Sequence, residues 1–412
     1  MTGYKTYRWA LLLMLFGIYP AFMAGQSDTP ILTRLLQMGM EDVSLEERDG
    51  IWRIAYSDRA YRETSHGLFD VLNMLLDRQD TPPDEIRLLV LKERIPTLSV
   101  TLAGETVRLY RSGSLSLREV ITNLQISYDT SLDAPHLRRL TAENSSAGKI
   151  DMVLYPRISL RNAWLDKLYG AAFDIAPALE IGLWKGASFT GQVIIPVWNN
   201  MVGEMDYIRA GMVVFRQEYR FPHNLFASFH IGHFNSNRMG ADATLRYRPN
   251  SDRWMVSLNA GLTGSSTFYR GKWEVTTWKR LTGSAAFRYN LPLYHLQFDL
   301  TAQRYIYGDY GVRMDCSRHF GEVTIGFYAM YSGGLPNGGF HFAVPLPQKK
   351  RSTRAVRVRL PDYFDLEYEA QSGNEYASRR LGRYYETRPD ENRSRAYLHP
   401  RFLKERLLYE VR

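Results

Sequence analysis

At 412 residues with 45% hydrophobic side chains, the chain is long enough for two or three ordinary domains and apolar enough to build a core. A mean hydropathy of -0.33, with no run near the ~20 apolar residues of a spanning helix outside the N-terminus, excludes a helical membrane protein but not a membrane β-barrel, whose strands alternate polar and apolar residues. The net charge of +9 is concentrated in Gln348–Arg412, which holds 16 Lys and Arg against 10 Asp and Glu, so a solvated tail or contact with anionic lipid, glycan or a protein partner is expected rather than nucleic acid.

From the N-terminus, Lys5 and Arg8 precede an apolar stretch from Trp9 to Ile18, then Pro20 and the small residues Ala21, Ala24 and Gly25. This is the layout of a secretory signal peptide over residues 1–25, with cleavage near Ala24–Gln26. Cys316 is the sole cysteine. No intrachain disulfide, Cys-based zinc site or lipidated junction is therefore expected, and Cys316 reads as packing on an apolar strand face.

Residues 28–140 read as a small α+β domain. Ile31–Met38 has helical spacing, and Asp49–Asp58 alternates as a strand. Ser65–Arg78 sets Leu68, Val71, Leu72, Leu75 and Leu76 on one helical face, with Ser65 available as a cap. Strands follow at Ile86–Lys92 and Leu98–Leu102, and Ser116-Leu117-Arg118-Glu119 is a capping-box pattern.

Across residues 150–347 helical periodicity gives way to a period of two, in about 12 strands whose length suits a tilted membrane crossing. In the last three, Val312, Met314 and Cys316 fall on one parity and Arg313, Asp315, Ser317 and His319 on the other; the alternation resumes from Val323 and again from Phe340. The polar parity also carries Asp174, Glu180, Gln192, Asp242, Arg246, His295 and Asp299. A soluble β-sandwich shows the same alternation with its apolar face inside. Strand count and length, export, 27 tyrosines, and Tyr or Trp near strand ends (Tyr169, Trp184, Trp198, Tyr207, Tyr247, Trp254, Tyr305, Tyr307, Tyr331) favour a transmembrane antiparallel barrel. Within residues 348–412, Arg354–Tyr368 supplies one further strand, and the polar stretch beyond Gln371 reads as a periplasmic tail.

Three pieces of this sequence resemble the YjbH-type outer-membrane proteins of exopolysaccharide and capsule secretion systems in Gram-negative bacteria. They are Tyr307-Gly308-Asp309-Tyr310-Gly311-Val312 with Ser317-Arg318-His319-Phe320, the end strand Gly338-Gly339-Phe340 to Val344-Pro345-Leu346, and Gly232-His233-Phe234-Asn235 with Arg238-Met239-Gly240. The resemblance runs over about Ile31–Leu346. The chain departs from many members in lacking a cysteine at the signal junction and in being shorter. What the resemblance implies is polysaccharide as the cargo and periplasmic and outer-membrane export components as partners.

The chemistry expected is therefore binding, not catalysis: a non-enzymatic outer-membrane component of exopolysaccharide or capsule export, without cofactor or metal. Asp174, Glu180, Arg246, His295, Asp299, Arg313 and Asp315 are its candidate lumen-facing contacts. A general porin is the alternative. A third reading, a lipid hydrolase in the barrel wall, rests on His233 and Ser236, but residues three apart in a regular strand point to opposite faces.

Overall fold

The computed structural model describes residues 30–411 apart from 139, 163–168, 201–205, 252, 270–271, 278, 371–372 and 391–398. The expected signal peptide and the side chain of Tyr169 lie outside the described residues.

The first unit is a five-stranded sheet in the order β1 (Glu41–Arg48), β2 (Ile51–Ser57), β3 (Glu85–Lys92), β4 (Ile95–Ala103) and β5 (Gln125–Ser127). Only β2 and β3 pair in parallel, which requires a crossover, and α2 (Thr64–Leu76) supplies it. Leu68, Val71, Leu72, Leu75 and Leu76 of α2 are buried on one face, as the spacing predicts. Its cap is different: Glu63 occupies the N-cap without a side-chain cap bond, and Ser65 lies inside the helix. α1 (Pro30–Met38), α3 (Gly104–Arg111), α4 (Leu117–Asn123) and α5 (Ala134–Leu137) complete this part of the unit. The capping box at Ser116 and Glu119 is formed in full.

One element of this core comes from the far end of the chain. α7 (Pro400–Glu410) packs on α2 and α4, and its Leu403 and Leu407 are fully buried in the same hydrophobic cluster as Leu72, Leu75 and Val120. Burying each such leucine contributes about 1.5–3 kcal/mol. The expectation of a free polar tail fails here because residues three and four apart in this helix are apolar on one side.

The second unit is a single sheet of 15 strands. Its strands are β6 (Ile150–Asn162), β7 (Tyr169–Gly182), β8 (Ala187–Asn199), β9 (Arg209–Phe221), β10 (Leu225–Phe234), β11 (Arg238–Tyr247) and β12 (Trp254–Tyr269), then β13 (Lys272–Val275), β14 (Arg280–Leu291), β15 (Leu296–Arg304), β16 (Tyr310–Phe320), β17 (Val323–Ser332), β18 (Leu335–Pro345), β19 (Val356–Arg359) and β20 (Tyr363–Glu369). From β6 to β18 sequential neighbours pair antiparallel, except that β14 returns to β12 while the short β13 pairs with the far end of β12 alone; β20 then pairs antiparallel with β18, and β19 pairs in parallel with β6. All 12 expected strands are present. The additions are β13, whose four residues carry no usable period, and a second strand where Arg354–Tyr368 was expected to give one.

Which face is covered distinguishes this sheet from a sandwich. Along β16 and β17 the apolar parity is open, with Met314 50% and Phe327 67% exposed, whereas Arg313 and Asp315 are 2% and 5% exposed. The same inversion holds at Phe229 and Ile231 against His230, and at Leu262 against Thr263. Cys316 lies on the outward parity and is half-buried.

The sheet is curled until its two ends approach each other. β19 pairs with β6, β20 pairs with β18 and packs beside β6, and Tyr155 of β6 and Leu366 of β20 line one cavity. At one end of the sheet lies the α+β unit. Gly186 of the β7–β8 turn donates its N–H to the Glu93 carbonyl, and Arg220 donates to the Pro96 carbonyl. Asp151 of β6 accepts from Arg357 (2.6 Å) and Arg359 (3.2 Å) and pairs with Arg59 of the α+β unit (3.0 Å). Several cations of the basic C-terminal segment are thus matched by acids of the chain itself.

Candidate functional site

The polar face encloses a site because the chain returns across it. After β20 and α6 (Asn374–Ser378), Leu381 packs at Gly333 of the β17–β18 turn, the Gly382 N–H donates to Asp309 (2.8 Å), and the Ile306 N–H donates to the Arg383 carbonyl (2.9 Å). Ser236 donates to the Tyr384 carbonyl at 3.0 Å, and the Glu386 N–H donates to Asn235 at 2.5 Å. These anchors all lie at the end of the sheet away from the α+β unit. From there Thr387–Asp390 line the interior beside Glu180 and Arg216, and the next described element is α7 in the α+β unit. The C-terminal segment is therefore a strap running along the polar face from one end of the sheet toward the other.

Tyr385 fixes the middle of the strap. Its ring stacks on Phe234 with centroids 5.3 Å apart and planes at 7°, its hydroxyl donates to Asp242 at 2.7 Å, and Thr282 Oγ1 lies 3.2 Å away. Gly261 leaves the space for that hydroxyl, since a Cβ there would overlap it. An unbranched position in a strand often marks such a close approach.

Six of the seven sequence-predicted contacts lie on this face. Asp174 pairs with Arg209 at 3.3 Å, and Glu180 accepts from Tyr155 (2.5 Å) and Arg359 (3.0 Å). Asp299 accepts from Arg288 and Gln297, each at 2.6 Å. Arg313 reaches Asp315 (2.8 Å) and Glu367 (2.8 Å) with its guanidinium 3.7 Å above the Tyr328 ring. Arg246 lines an interior cavity with Asp299 and Asp315. His295 is the exception: it follows a single 3-10 turn with φ 54°, ahead of β15 rather than within it, and pairs with Glu405 of α7 at 3.0 Å. Strand parity does not extend through a left-handed residue. Among the described residues no cluster of His, Cys, Asp and Glu is arranged for a metal ion.

His233 and Ser236 do not pair. Ser236 sits in the β10–β11 turn with φ 55°, and His233 Nδ1 lies 3.1 Å from Ser266 Oγ, which also accepts from Trp273 Nε1 at 2.6 Å. Sequence reasoning missed Ser266, His230 and the strap, because each faces its neighbours across strands or over a long return of the chain.

Where the two units meet, buried charges converge. Glu322 in the β16–β17 turn contacts Arg62 and stands 2.7 Å from His66 Nε2, while His66 Nδ1 lies 2.7 Å from Glu410 of α7. Burial raises the Glu322 carboxyl, but the His66 contact and the Arg62 charge outweigh it and hold the group below its ordinary range. Nearby, Asp58 lines a second cavity of about 230 Å³ with Arg59, Arg94 and Arg351. Burial pushes Asp58 up to about 7, against the lowering effects of the Tyr61 N–H and Arg351.

Residues 207–341, from just before β9 into β18, match the family model of YjbH, described as exopolysaccharide biosynthesis protein YbjH. The resemblance read from the sequence is thereby shown over that stretch. Neither the curated proteins nor the solved structures contain a match to the chain.

Proposed function

We propose that this protein is a non-enzymatic component of exopolysaccharide or capsule export, held in the outer membrane by a β-barrel of β6–β20 with its α+β unit in the periplasm. The observation that carries the membrane step is the inverted sheet, apolar and open on one face, charged and covered on the other. In water that arrangement would leave a large apolar surface exposed, whereas lipid makes it the favourable one. Closure through β19, β6 and β20 would remove the unpaired edges that lipid does not tolerate. Exposed Trp184, Trp198, Tyr219, Tyr247, Tyr310 and Tyr331 near strand ends suit two interfacial girdles.

The polysaccharide step rests on the match over residues 207–341. Because the strap runs along the interior, a role beside a larger exporter fits better than passage of a polymer through this barrel, and it also argues against a general porin. The test is a strain lacking the protein. Loss or shortening of the surface polysaccharide is expected, and an unchanged glycan coat would remove the export role.

A barrel-embedded lipid hydrolase is the second reading, favoured by the His233–Ser266 pair on the outward parity beneath Trp273. It requires release of fatty acid from phospholipid vesicles that is lost in Ser266→Ala.

A further inference from the structure

An interior cavity of about 380 Å³ lies between the polar faces of β10–β16 and the strap at Tyr384–Asp390. That volume is at the lower end of ordinary small-ligand sites. The pairing register builds its floor. Ser228 stands opposite Thr244, Thr244 opposite Asn259, Asn259 opposite Ser284, and Ser284 opposite Gln303. Five uncharged hydroxyl and amide side chains thus form one row across five adjacent strands, stepping by about 4.8 Å per strand. This step is close to the length of one pyranose ring.

A second row, one level along, runs from His230 through Asp242 and Gly261 to Thr282. His230 is 7% exposed and lines the cavity, and neither ring nitrogen has a hydrogen-bond partner among the described residues; Asp242 Oδ1 is 3.7 Å from Nδ1. A buried imidazole without partners is costly. When neutral it offers one donor and one acceptor. A hydroxyl group can serve either, whereas an ionised carboxylate or a phosphodiester can only accept.

Six Lys and Arg and five Asp and Glu side chains line the cavity, so its formal charge is nearly balanced, and several of them are paired within the chain. Arg288 donates to Asp299, Arg216 is matched by Glu93 and Glu218, and Asp315 accepts from Arg313. A ligand therefore needs no net charge. The Tyr384 and Tyr385 side chains of the strap also border the cavity and offer aromatic surface for the C–H faces of a sugar. We propose that this cavity binds a short neutral saccharide of about two residues, laid across the row from Ser228 to Gln303 and hydrogen-bonded by His230. The proposal rests on the export reading for its biological meaning and on the register for its chemistry.

The test is calorimetric titration of the detergent-solubilised full chain with cellobiose, lactose and chitobiose as neutral probes and digalacturonate as the anionic one. Saturable binding of at least one neutral disaccharide is expected, weakened about tenfold or more in His230→Phe and in Ser284→Val, while both variants keep the wild-type difference in gel mobility between boiled and unboiled samples. Preference for digalacturonate, no saturation by any neutral probe up to about 10 mM, or unchanged binding in both folded variants would overturn it. Surface glycan in a strain lacking the protein reports separately on the export role, so the two readings fail independently.

Discussion

The Tyr385 hydroxyl donates a 2.7 Å hydrogen bond to Asp242, tying a residue near the C-terminus to the inner face of β11 across 143 positions of sequence. That bond, the stacking on Phe234 and the fit at Gly261 hold the strap in the interior. Gly261→Val places a branched side chain where the hydroxyl sits and is expected to displace the strap, as is Tyr385→Gly combined with Tyr384→Gly. In planar bilayers the wild-type chain should conduct little, and both variants should show larger and more frequent channel openings. Equal silence in all three would mean that the strap does not close the interior.

Glu322 joins the sheet to the α+β unit through Arg62 and His66. Glu322→Gln leaves the Arg62 guanidinium without its counter-charge, at a cost of about 1–3 kcal/mol. Faster amide exchange across α2 and α7, with β16 and β17 unchanged, is the expected readout. Because the Glu322 carboxyl is held low in the folded chain, its contribution is present above its unfolded pKa and is lost as pH falls through the folded value. Acid should therefore reproduce the variant's effect in the wild type and add little in the variant.

Asp58 titrates in the opposite sense. Its pKa rises on folding from the ordinary value of 3.8 to about 7, so stability is complete below the unfolded value and falls as pH rises through about 7. Asp58→Asn keeps an acceptor for the Tyr61 N–H, which Asp58 receives at 3.0 Å. It should flatten the pH dependence of urea unfolding in the α+β unit and stabilise that unit at pH 8, by about 4 kcal/mol at most. A variant less stable than wild type at pH 8 would place a charge requirement at this position.

Leu403 and Leu407 are buried to 0% exposure in the core of a unit that begins some 370 residues earlier in the chain. Either Leu→Ala change should cost about 2–5 kcal/mol. The effect should appear as protease sensitivity of α2 and β3 while the strands of the larger sheet stay protected. Retained protection of α2 would show that α7 is dispensable to this core.

Strand placement was legible because a period of two fixes which residues share a face, and all 12 expected strands carry it, from Met152 to Leu346. The same period left open which face is exposed, since that depends on how far the sheet curls, a property of β6 meeting β20. Asp174, Glu180, Arg246, Asp299, Arg313 and Asp315 share the polar parity of their strands in the sequence, and they lie on the polar face of the sheet. His295 does not, because its left-handed backbone interrupts the count. The strap was invisible for a different reason: Tyr376, Leu381, Tyr384 and Tyr385 follow no regular period and gain meaning only from Met330, Gly333, Glu367 and Asp242. Their dense aromatic and basic composition was the available signal, and it reads equally well as a solvated tail. His233 found Ser266 rather than Ser236 because its partner lies two strands away.

We propose the inverted sheet to be a closed barrel in the outer membrane. This is tested most directly by extracting the mature chain from outer membranes in detergent and comparing the gel mobility of boiled and unboiled samples. A closed membrane barrel gives a clear mobility difference, with the unboiled protein in the membrane fraction. Recovery in the soluble periplasm with identical mobility before and after boiling would contradict it.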